Sequence, residues 1–265
     1  ILGLCGVERL DKTLSDLPTN MMVITEIEEL SLSAWPAHQT VLYDGWVLRF
    51  AEGYTKRANS VNPLYASNLD LGEKIDFCEH LYQEQKLDVV FKLTPASNPD
   101  VLDQTLSARG YRRDSPTSVQ VLELNSTEFT VIPQVDIMGT LSGSWLDAFC
   151  RMSSVDSDRR KTLQQILLGI LPAHCFASLR REDQVIACGL GVLRSGYVGL
   201  FDIVVDKDFR KRGYGQQIVG SILAWGKRNG ARRAYLQVML NNPPALRLYS
   251  RIGFVEKYQY WYRIR

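Results

Sequence analysis

The chain has 265 residues, 45% of them hydrophobic and 23% charged, which fits one large domain or two ordinary ones and excludes a disulfide-stapled mini-protein or a chain disordered throughout. No apolar run approaches the ~18–20 residues of a spanning helix, and the first residues show no cleavable signal pattern, so we expect a cytoplasmic protein without a membrane partner. Residues 1–128 hold 11 Lys and Arg against 19 Asp and Glu, a net charge of −8, whereas residues 129–265 hold 20 against 10, a net charge of +10. Such a basic half suits nucleic acid, an anionic membrane surface or a phosphorylated small molecule, and charge alone does not choose among them.

The first half begins with an extension and continues as strands and a helix. Residues 1–21 match neither half and form an extension of unknown role. Asp44-Gly45 is a turn signal, and the alternating side chains after it predict a half-buried strand over residues 46–51. Residues 73–85 carry apolar side chains at helical spacing and are predicted to form a helix.

One layout occurs twice in the chain. Each copy has a strand, an Asn-Pro pair, a helix, a Gly-aromatic pair and a second strand. The pairs are Asn98-Pro99 with Gly110-Tyr111, and Asn242-Pro243 with Gly253-Phe254. In both copies Asn is expected to cap the helix, Pro to take its first position, and Gly to end it in the left-handed conformation.

The second half adds a hairpin and a buried strand. The hairpin turns at residues 181–183, and a β-branched strand covers Tyr197–Asp206. Hairpins that precede helix-linked strands indicate an α/β class with a mixed α+β sheet, which excludes a helical bundle and a β-sandwich. The repeated layout predicts two related domains, residues 22–128 and residues 129–265, that meet near residues 124–133.

The segment after this strand carries the clearest chemistry. The strand runs into Arg210-x-x-Gly213-x-Gly215, and a helix then continues to Asn229-Gly230. A glycine loop at a helix N-terminus presents unpaired amides to an anion, and the helix dipole favours negative charge there. The spacing matches neither the P-loop nor the dinucleotide fingerprint, although a basic solvated turn remains an alternative for these residues alone. The cations around the loop are Lys207, Arg210, Lys211 and Arg212.

Linked motifs in this half resemble a known family. The motifs are Arg210-x-x-Gly213-x-Gly215 after Val204-Val205-Asp206, then Leu236-Gln237-Val238, Asn242-x-x-Ala245, Leu248-Tyr249 and Gly253-Phe254. In order and spacing they look like the acetyl-CoA-binding motifs of the GNAT superfamily of N-acetyltransferases, over about residues 135–265. Trp46-x-x-Arg49, Arg57-Ala58-Asn59-Ser60 and the closing tyrosines resemble bacterial two-domain members. In those proteins the second domain holds acetyl-CoA and the first is a degenerate copy.

The resemblance implies an enzyme that transfers acetyl directly from acetyl-CoA, without a metal, to a primary amine of a small molecule or a peptide N-terminus. It implies that the amides of residues 212–216 bind the pyrophosphate and that strand backbone splayed from its neighbour binds the pantetheine arm. Tyr249, two turns after Asn242, is expected to protonate the leaving thiolate, unless it is a core tyrosine. Asn242 is sufficiently explained as a helix cap, and its contact with the coenzyme stays open. The implied coenzyme-binding residues are Ile203, Val204, Val205, Arg210, Lys211, Arg212, Gly213, Tyr214, Gly215, Gln216 and Asn242.

The general base is not identified by any motif. Asp202 lies on the relevant strand, but strand alternation places it on the same face as Val204, where it is equally explained as a packed or capping residue. A water chain, or an amine that arrives neutral, accounts for deprotonation equally well. The first half has one glycine, Gly72, before its helix and acids where phosphates need cations, so we expect no coenzyme site there. It is interpreted as a structural and substrate-shaping partner, through Arg49, Arg57 and Asn59, or as a sheet that these residues only stabilise.

Two other function classes are weighed against an acetyltransferase. An acyl-CoA-binding protein without turnover shares the coenzyme loop and differs only in the role of Tyr249. A nucleic-acid-binding module is suggested by the charge of the second half, but no aromatic stacking set or recognised motif accompanies it, so no nucleic-acid partner is expected. No feature of the sequence indicates an oligomeric state.

Overall fold

The computed structural model describes residues 19–125 and 128–265. The predicted extension, residues 1–21, lies outside the described residues except for its last three, which begin the first helix. The helices are α1 (Thr19–Ala34), α2 (Leu71–Glu84), α3 (Leu102–Ala108), α4 (Gly143–Ser153), α5 (Ser157–Leu168), α6 (Tyr214–Arg228) and α7 (Pro243–Ile252). The strands are β1 (Gln39–Tyr43), β2 (Trp46–Phe50), β3 (Val61–Pro63), β4 (Val90–Leu93), β5 (Arg112–Glu123), β6 (Val135–Met138), β7 (Ala173–Arg181), β8 (Gln184–Arg194), β9 (Tyr197–Val205), β10 (Arg233–Met239) and β11 (Val255–Ile264).

The strands of the described chain form one mixed sheet. Their order is β1-β2-β3-β4-β11-β5-β10-β9-β8-β7-β6. Neighbours are antiparallel except for the β3–β4 and β9–β10 pairs, which are parallel. The predicted α/β class with a mixed sheet is confirmed.

The last strands of the two repeated units are exchanged between them. β5 ends the first unit but lies between β11 and β10, and β11 ends the second unit but lies between β4 and β5. Seven residue pairs join β5 to β10, with Arg233–Met239 opposite residues 123–117. The units β4-α3-β5 and β10-α7-β11 therefore interlock, and the sheet runs continuously across the sequence boundary near residues 124–133.

Three hydrophobic clusters pack against the sheet. One lies under α6 and α7, and a second lies under α2 and α3. The third, the α1 cluster, joins α1, α4 and α5 to inward-facing aromatic side chains of β9, β10 and β11. Alternate side chains of β11 point to opposite faces of the sheet. Trp261 packs with α2 and α3, whereas Tyr260 and Tyr262 belong to the α1 cluster. Helices α1, α4 and α5 are not among the elements predicted from the sequence.

Strand β2 differs from its prediction. The turn at Asp44-Gly45 is present, and Gly45 has a φ of +81°. All five residues of β2 are buried, so the prediction of a half-buried strand is wrong. One face packs with α2 and α3, and on the other face the Arg49 guanidinium donates to the carbonyls of Leu32 and Trp35 in and just after α1. Helices therefore cover both sides of a strand whose alternating sequence suggested a solvated face.

The two Asn-Pro pairs also differ. Asn242 caps α7 as predicted, its Oδ1 accepting from the Ala245 amide at 3.3 Å. Asn98 does not cap α3, which begins at Leu102 after Val101. Tertiary contacts hold Asn98 instead, since its carbonyl accepts from the Trp46 indole at 3.0 Å and its amide donates to the Pro63 carbonyl at 3.1 Å. The glycines that end α3 and α7, Gly110 and Gly253, are both left-handed, as predicted.

Candidate active site

A gap opens in the sheet between β9 and β10. The two strands pair over only four positions, the last of which joins Leu200 to Leu236. Beyond that point β10 stays paired with β5 as far as Met239, and β9 stays paired with β8 as far as Val205. Among the described residues, the backbone of β9 after Leu200 therefore has no strand partner on its β10 side. Ile203, Val204 and Val205 lie in this splayed part of β9, which we call the bordering stretch of the β9–β10 gap.

A β-bulge at Asp202 breaks the alternation of β9. Asp202 and Ile203 together face the single residue Gly189 on β8, and Asp202 has a φ of +52°. A bulge redirects the side chains that follow it. Asp202 nevertheless lies on the same side of the sheet as Val204, as predicted, since its neighbours Tyr54 and Cys188 belong to the α1 cluster against which Val204 packs. Gly189 makes room for the bulge, because a Cβ there would lie 2.7 Å from Ile203 Cδ1.

The Asp202 carboxyl lies in a desolvated position. Its Oδ2 atom is buried and has no hydrogen-bond partner among the residues that the structure describes. Burial raises the pKa of Asp202 to about 7, and the positive charge of Arg57 partly opposes this rise. A carboxyl with a pKa near neutrality can accept a proton at physiological pH, which an ordinary surface aspartate does poorly.

The glycine loop connects β9 to the N-terminus of α6. Asp206 fixes its start, because its carboxylate pairs with Arg151 and its amide donates to the Ile186 carbonyl at 2.8 Å. Gly213 caps α6 with a φ of +83°, a conformation that favours glycine, and a Cβ there would meet no atom within 4 Å. The first amides of α6 precede any intrahelical acceptor and open onto this space. Gly215 instead allows close packing, since a Cβ on it would lie 3.3 Å from Leu248 of α7.

The side chains of the loop differ in their contacts. Arg210, Lys211 and Arg212 are exposed, which leaves their charges available to an anion. Arg210 Nε also donates to the Val205 carbonyl at 3.1 Å and so joins the loop to the bordering stretch of the gap. The Tyr214 hydroxyl accepts from Arg181 at 2.7 Å, while Gln216 is exposed in the first turn of α6.

Tyr249 lies on the opposite side of the gap from the α1 cluster. It is buried with the side chains under α6 and α7, and its ring meets Phe254 edge-on at 5.9 Å between centroids. Burial raises the pKa of Tyr249 to about 12, and the charge of Arg57 acts in the opposite direction. Its hydroxyl has no hydrogen-bond partner within the described part of the chain. A phenol with this pKa stays protonated at neutral pH and can serve as a proton donor.

Side chains of the first half line the α1 side of the gap. Arg57 follows a loop of the first half, and its charge affects the pKa of both Asp202 and Tyr249. Tyr54, on the same loop, lies near enough to Asp202 for that carboxylate to raise the pKa of its phenol further, burial being the larger cause. Sequence reasoning singled out Arg57 but missed Tyr54, Trp35, Phe201 and the tyrosines of β11 as neighbours of the gap. The alternating tyrosines at the end of the chain were the available signal.

The described residues contain neither a metal-binding cluster nor a membrane-spanning helix. No group of three or more His, Cys, Asp or Glu side chains with metal-binding geometry occurs in residues 19–125 and 128–265. Within the same ranges, the helices are all too short or too polar to cross a membrane. The four described cysteines, residues 78, 150, 175 and 188, are buried as free thiols.

Comparison with known proteins identifies relatives of the whole described fold. Residues 22–263 match the family described as "Probable histone acetyltransferase Rv0428c C-terminal". The chain is 31% identical over 250 residues to "Uncharacterized N-acetyltransferase YobR" of Bacillus subtilis (strain 168), a match that covers 91% of this chain and 98% of that protein.

Solved structures share the fold at low sequence identity. A GCN5-related N-acetyltransferase from Kribbella flavida superposes with a TM-score of 0.68 at 14% identity, covering 91% of this chain and 94% of that one. A tandem GNAT protein from the clavulanic acid biosynthesis pathway superposes with a TM-score of 0.59 at 12% identity, covering 90% and 87%. The family match and the Bacillus relative span nearly the same residues as these folds. The chain therefore belongs to the GNAT-type N-acetyltransferase family.

Proposed function

We propose that the protein transfers an acetyl group directly from acetyl-CoA to a primary amine of a small molecule or a peptide N-terminus. The observation that carries the proposal is the β9–β10 gap, which has a proton-accepting group, Asp202, on one side and a proton-donating group, Tyr249, on the other. The exposed N-terminus of α6 lies beyond the end of β9 and supplies the anion-binding amides. This arrangement suits a linear ligand with an anionic end and a reactive end inside the sheet.

The residues present fit coenzyme A. The amides of residues 212–216 would bind the pyrophosphate, because the left-handed Gly213 leaves open space before them. The exposed cations Arg210, Lys211 and Arg212 add charge complementarity. The backbone of Ile203, Val204 and Val205 has no strand partner on its β10 side in the part of the chain that the structure describes, and it would bond the pantetheine arm as an added strand would. Tyr214, Gly215 and Gln216 supply the first turn of α6, and Asn242, which caps α7, is exposed beside the gap.

The chain's own side chains account for both proton movements. Acetyl-CoA supplies the acetyl group as a thioester. Asp202, with a pKa of about 7, takes the proton that the amine must lose before or during attack. Tyr249, with a pKa of about 12, gives a proton to the departing thiolate and is afterwards reprotonated from solvent. Desolvation of both groups in the sheet interior maintains the separation of their pKa values.

The first half is proposed to be a degenerate copy that shapes the acceptor side of the gap. Its helix α2 corresponds to α6, but the Asp70 carboxylate caps it by accepting from the Glu73 amide at 3.1 Å. A Cβ on Gly72 would lie 3.0 Å from Asp70 Oδ1, so the space that an anion needs is already filled by an acid. The interlocked units and the similarity to a tandem GNAT structure support two related domains, residues 22–128 and residues 129–265.

A calorimetric titration combined with a screen of amines tests the function. We expect acetyl-CoA to bind with one site per chain, and a panel of amines to reveal at least one that releases free coenzyme A thiol and yields an N-acetyl product. Binding without turnover of any amine would support the alternative, an acyl-CoA-binding protein. Two coenzymes per chain would contradict the degenerate first half, and no binding would contradict the coenzyme site.

A further inference from the structure

The guanidinium of Arg57 lies at the gap without a carboxylate partner. Its Cζ is 6.0 Å from the ring centroids of both Trp35 and Phe201, which stack on each other at 6.5 Å. Within the described residues no carboxylate oxygen lies within ion-pair distance of it. Its polar neighbours are the phenols of Tyr260 and Tyr262 on β11 and, beyond ion-pair distance, the Asp202 carboxyl. A cation placed among aromatic rings can bind an anion from outside the chain.

Other cations in sheltered positions are paired. Burial of an unpaired charge is costly, and proteins normally supply an opposite charge or several hydrogen bonds. The pairs here are Lys74 with Asp44, Lys92 with Glu28, and Arg263 with Asp103. Arg49 is satisfied by backbone carbonyls instead, those of Leu32, Trp35 and Arg57. Arg57 therefore departs from the pattern that the rest of the described chain follows.

Two buried side chains hold the backbone beneath Arg57. Arg49 Nη1 donates to the Arg57 carbonyl at 2.5 Å. Asn59 Oδ1 accepts from the Ala51 amide at 2.7 Å and from the Gly53 amide at 2.9 Å, and Asn59 Nδ2 donates to the Thr55 carbonyl at 2.8 Å. Arg57 is thus presented from a backbone fixed at both ends, and preorganisation of this kind lowers the entropic cost of binding a ligand.

The position of Arg57 relates it to the transferred group. Phe201, whose ring it approaches, immediately precedes Asp202 in β9. The charge of Arg57 also reaches Tyr249 on the far side of the gap. An anion held by Arg57 would therefore lie near an amine that gives its proton to Asp202. A guanidinium forms two parallel hydrogen bonds with a carboxylate, which fixes the orientation of the bound molecule.

We propose that Arg57 binds a carboxylate of the acceptor, so that the preferred acceptors are amino acids whose free carboxylate lies a few bonds from the acetylated amine. This inference rests on the proposed function and specifies the substrate class of the same site. The carboxylate neutralises the charge of Arg57, while the amine of the same molecule faces Asp202. Recognition therefore comes from the first half and the proton acceptor from the second.

Pairs of acceptors that differ only in the carboxylate isolate its contribution to recognition. Each of a panel of L-amino acids is compared with its carboxamide, which lacks only the negative charge, by the rate of thiol release from saturating acetyl-CoA. The ratio of kcat/KM for the two is measured in the wild type, Arg57→Gln, Arg57→Lys and the control Arg194→Gln. Arg194 is an exposed cation bonded to Ser33, and its loss removes the same charge. Because the ratio is compared between variants, differences in amine basicity cancel.

Arg57→Gln is expected to lower kcat/KM for the amino acid by about 10- to 100-fold, mainly through KM, while the carboxamide changes by less than about threefold. Arg57→Lys should restore part of the preference, and Arg194→Gln should leave it unchanged. Equal losses for both acceptors, a loss confined to the KM of acetyl-CoA, or no preference in the wild type would overturn the proposal.

If no amine is acetylated, the proposed function has failed and binding still tests Arg57. Calorimetric titration of the amino acids into the wild type saturated with coenzyme A should then show binding that Arg57→Gln abolishes and Arg194→Gln retains. Absence of binding in the wild type, or binding unaffected by Arg57→Gln, would overturn the inference independently of turnover.

Discussion

Replacing Asp202 with asparagine tests the proton-accepting role most directly. The amide has nearly the same shape as the carboxyl but cannot accept a proton, so the bulge in β9 should persist while the base is lost. Loss of a general base lowers the rate by about 10²–10⁴-fold. We expect kcat/KM for the amine to fall by that factor at pH 8, with little change in the affinity for acetyl-CoA, because the backbone that borders the gap is unaltered.

The pH dependence of this effect follows from the raised pKa. With a pKa of about 7, Asp202 is about 10% ionised at pH 6 and about 90% ionised at pH 8. The ratio of wild-type to Asp202→Asn kcat/KM should therefore rise almost tenfold between these pH values. Ionisation of the acceptor amine affects both enzymes equally and cancels in the ratio. An ordinary aspartate with a pKa of 3.8 would be ionised throughout, and the ratio would be flat.

The groups that face Asp202 do not disturb this interpretation. Arg57 stays charged over the range, and burial raises the pKa of the Tyr54 phenol and, to about 12, that of the Cys188 thiol. These two groups therefore remain neutral between pH 6 and 8. A pH-independent ratio would refute the reasoning, as would an unchanged rate in Asp202→Asn when chemistry limits turnover.

Stability provides a second measurement that does not depend on turnover. A carboxyl whose pKa is raised on folding destabilises the folded state progressively as pH rises from its unfolded pKa to its folded pKa, here from about 4 to about 7. Asp202→Asn should therefore gain stability relative to the wild type across this window and remain constant above it. Each pKa unit corresponds to 1.36 kcal/mol, so the rise from 3.8 to about 7 sets an upper limit of about 4 kcal/mol on this gain. Solvent reaches part of the side chain and screens its charge, so the expected gain is about 2–4 kcal/mol.

Two further substitutions test the other parts of the site. Tyr249→Phe should lower kcat by about 10²–10⁴-fold and leave acetyl-CoA affinity nearly intact, since the ring still packs on Phe254; an unchanged chemistry-limited kcat would make Tyr249 purely structural. Gly213→Val should abolish acetyl-CoA binding in a calorimetric titration, because a β-branched residue resists a φ of +83° and fills the space before the α6 amides. Gly230→Val, at the opposite end of α6 with a φ of +96°, carries the same backbone strain and should retain binding. Equal loss of binding in both variants would assign the effect to folding.

Local sequence was sufficient to predict the elements that depend on local chemistry. Gly213, Gly230 and Gly253 take the left-handed conformations that their positions at helix ends require. Asn242 caps α7, and the β-branched run before Asp206 forms β9. These features follow from residue types at fixed spacing, so they are visible without knowledge of the partners that pack against them.

The features that sequence reasoning missed depend on distant partners. The bulge at Asp202 needs the space left by Gly189 on another strand, and no periodicity in β9 indicates it. Asn98 has the same local context as Asn242, yet contacts with Trp46 and Pro63 override its capping tendency. The exchange of β5 and β11 is equally invisible, because each unit has the same pattern whichever neighbour its last strand joins.

The strand exchange predicts that the second half does not fold without the first. Without β5, β10 loses seven residue pairs, and β11 loses both of its neighbours, β5 and β4. Val119, Val121 and Leu122 are among the buried apolar side chains of β5. Loss of each would remove about 1.5–3 kcal/mol of burial energy, against a total stability of about 5–15 kcal/mol. Residues 129–265 expressed alone should therefore be insoluble or unfolded by circular dichroism. Coexpression with residues 1–128 should restore a folded, acetyl-CoA-binding complex, because the break lies outside every strand and helix. A folded, monomeric second half that binds acetyl-CoA by itself would show that the exchanged strand is dispensable.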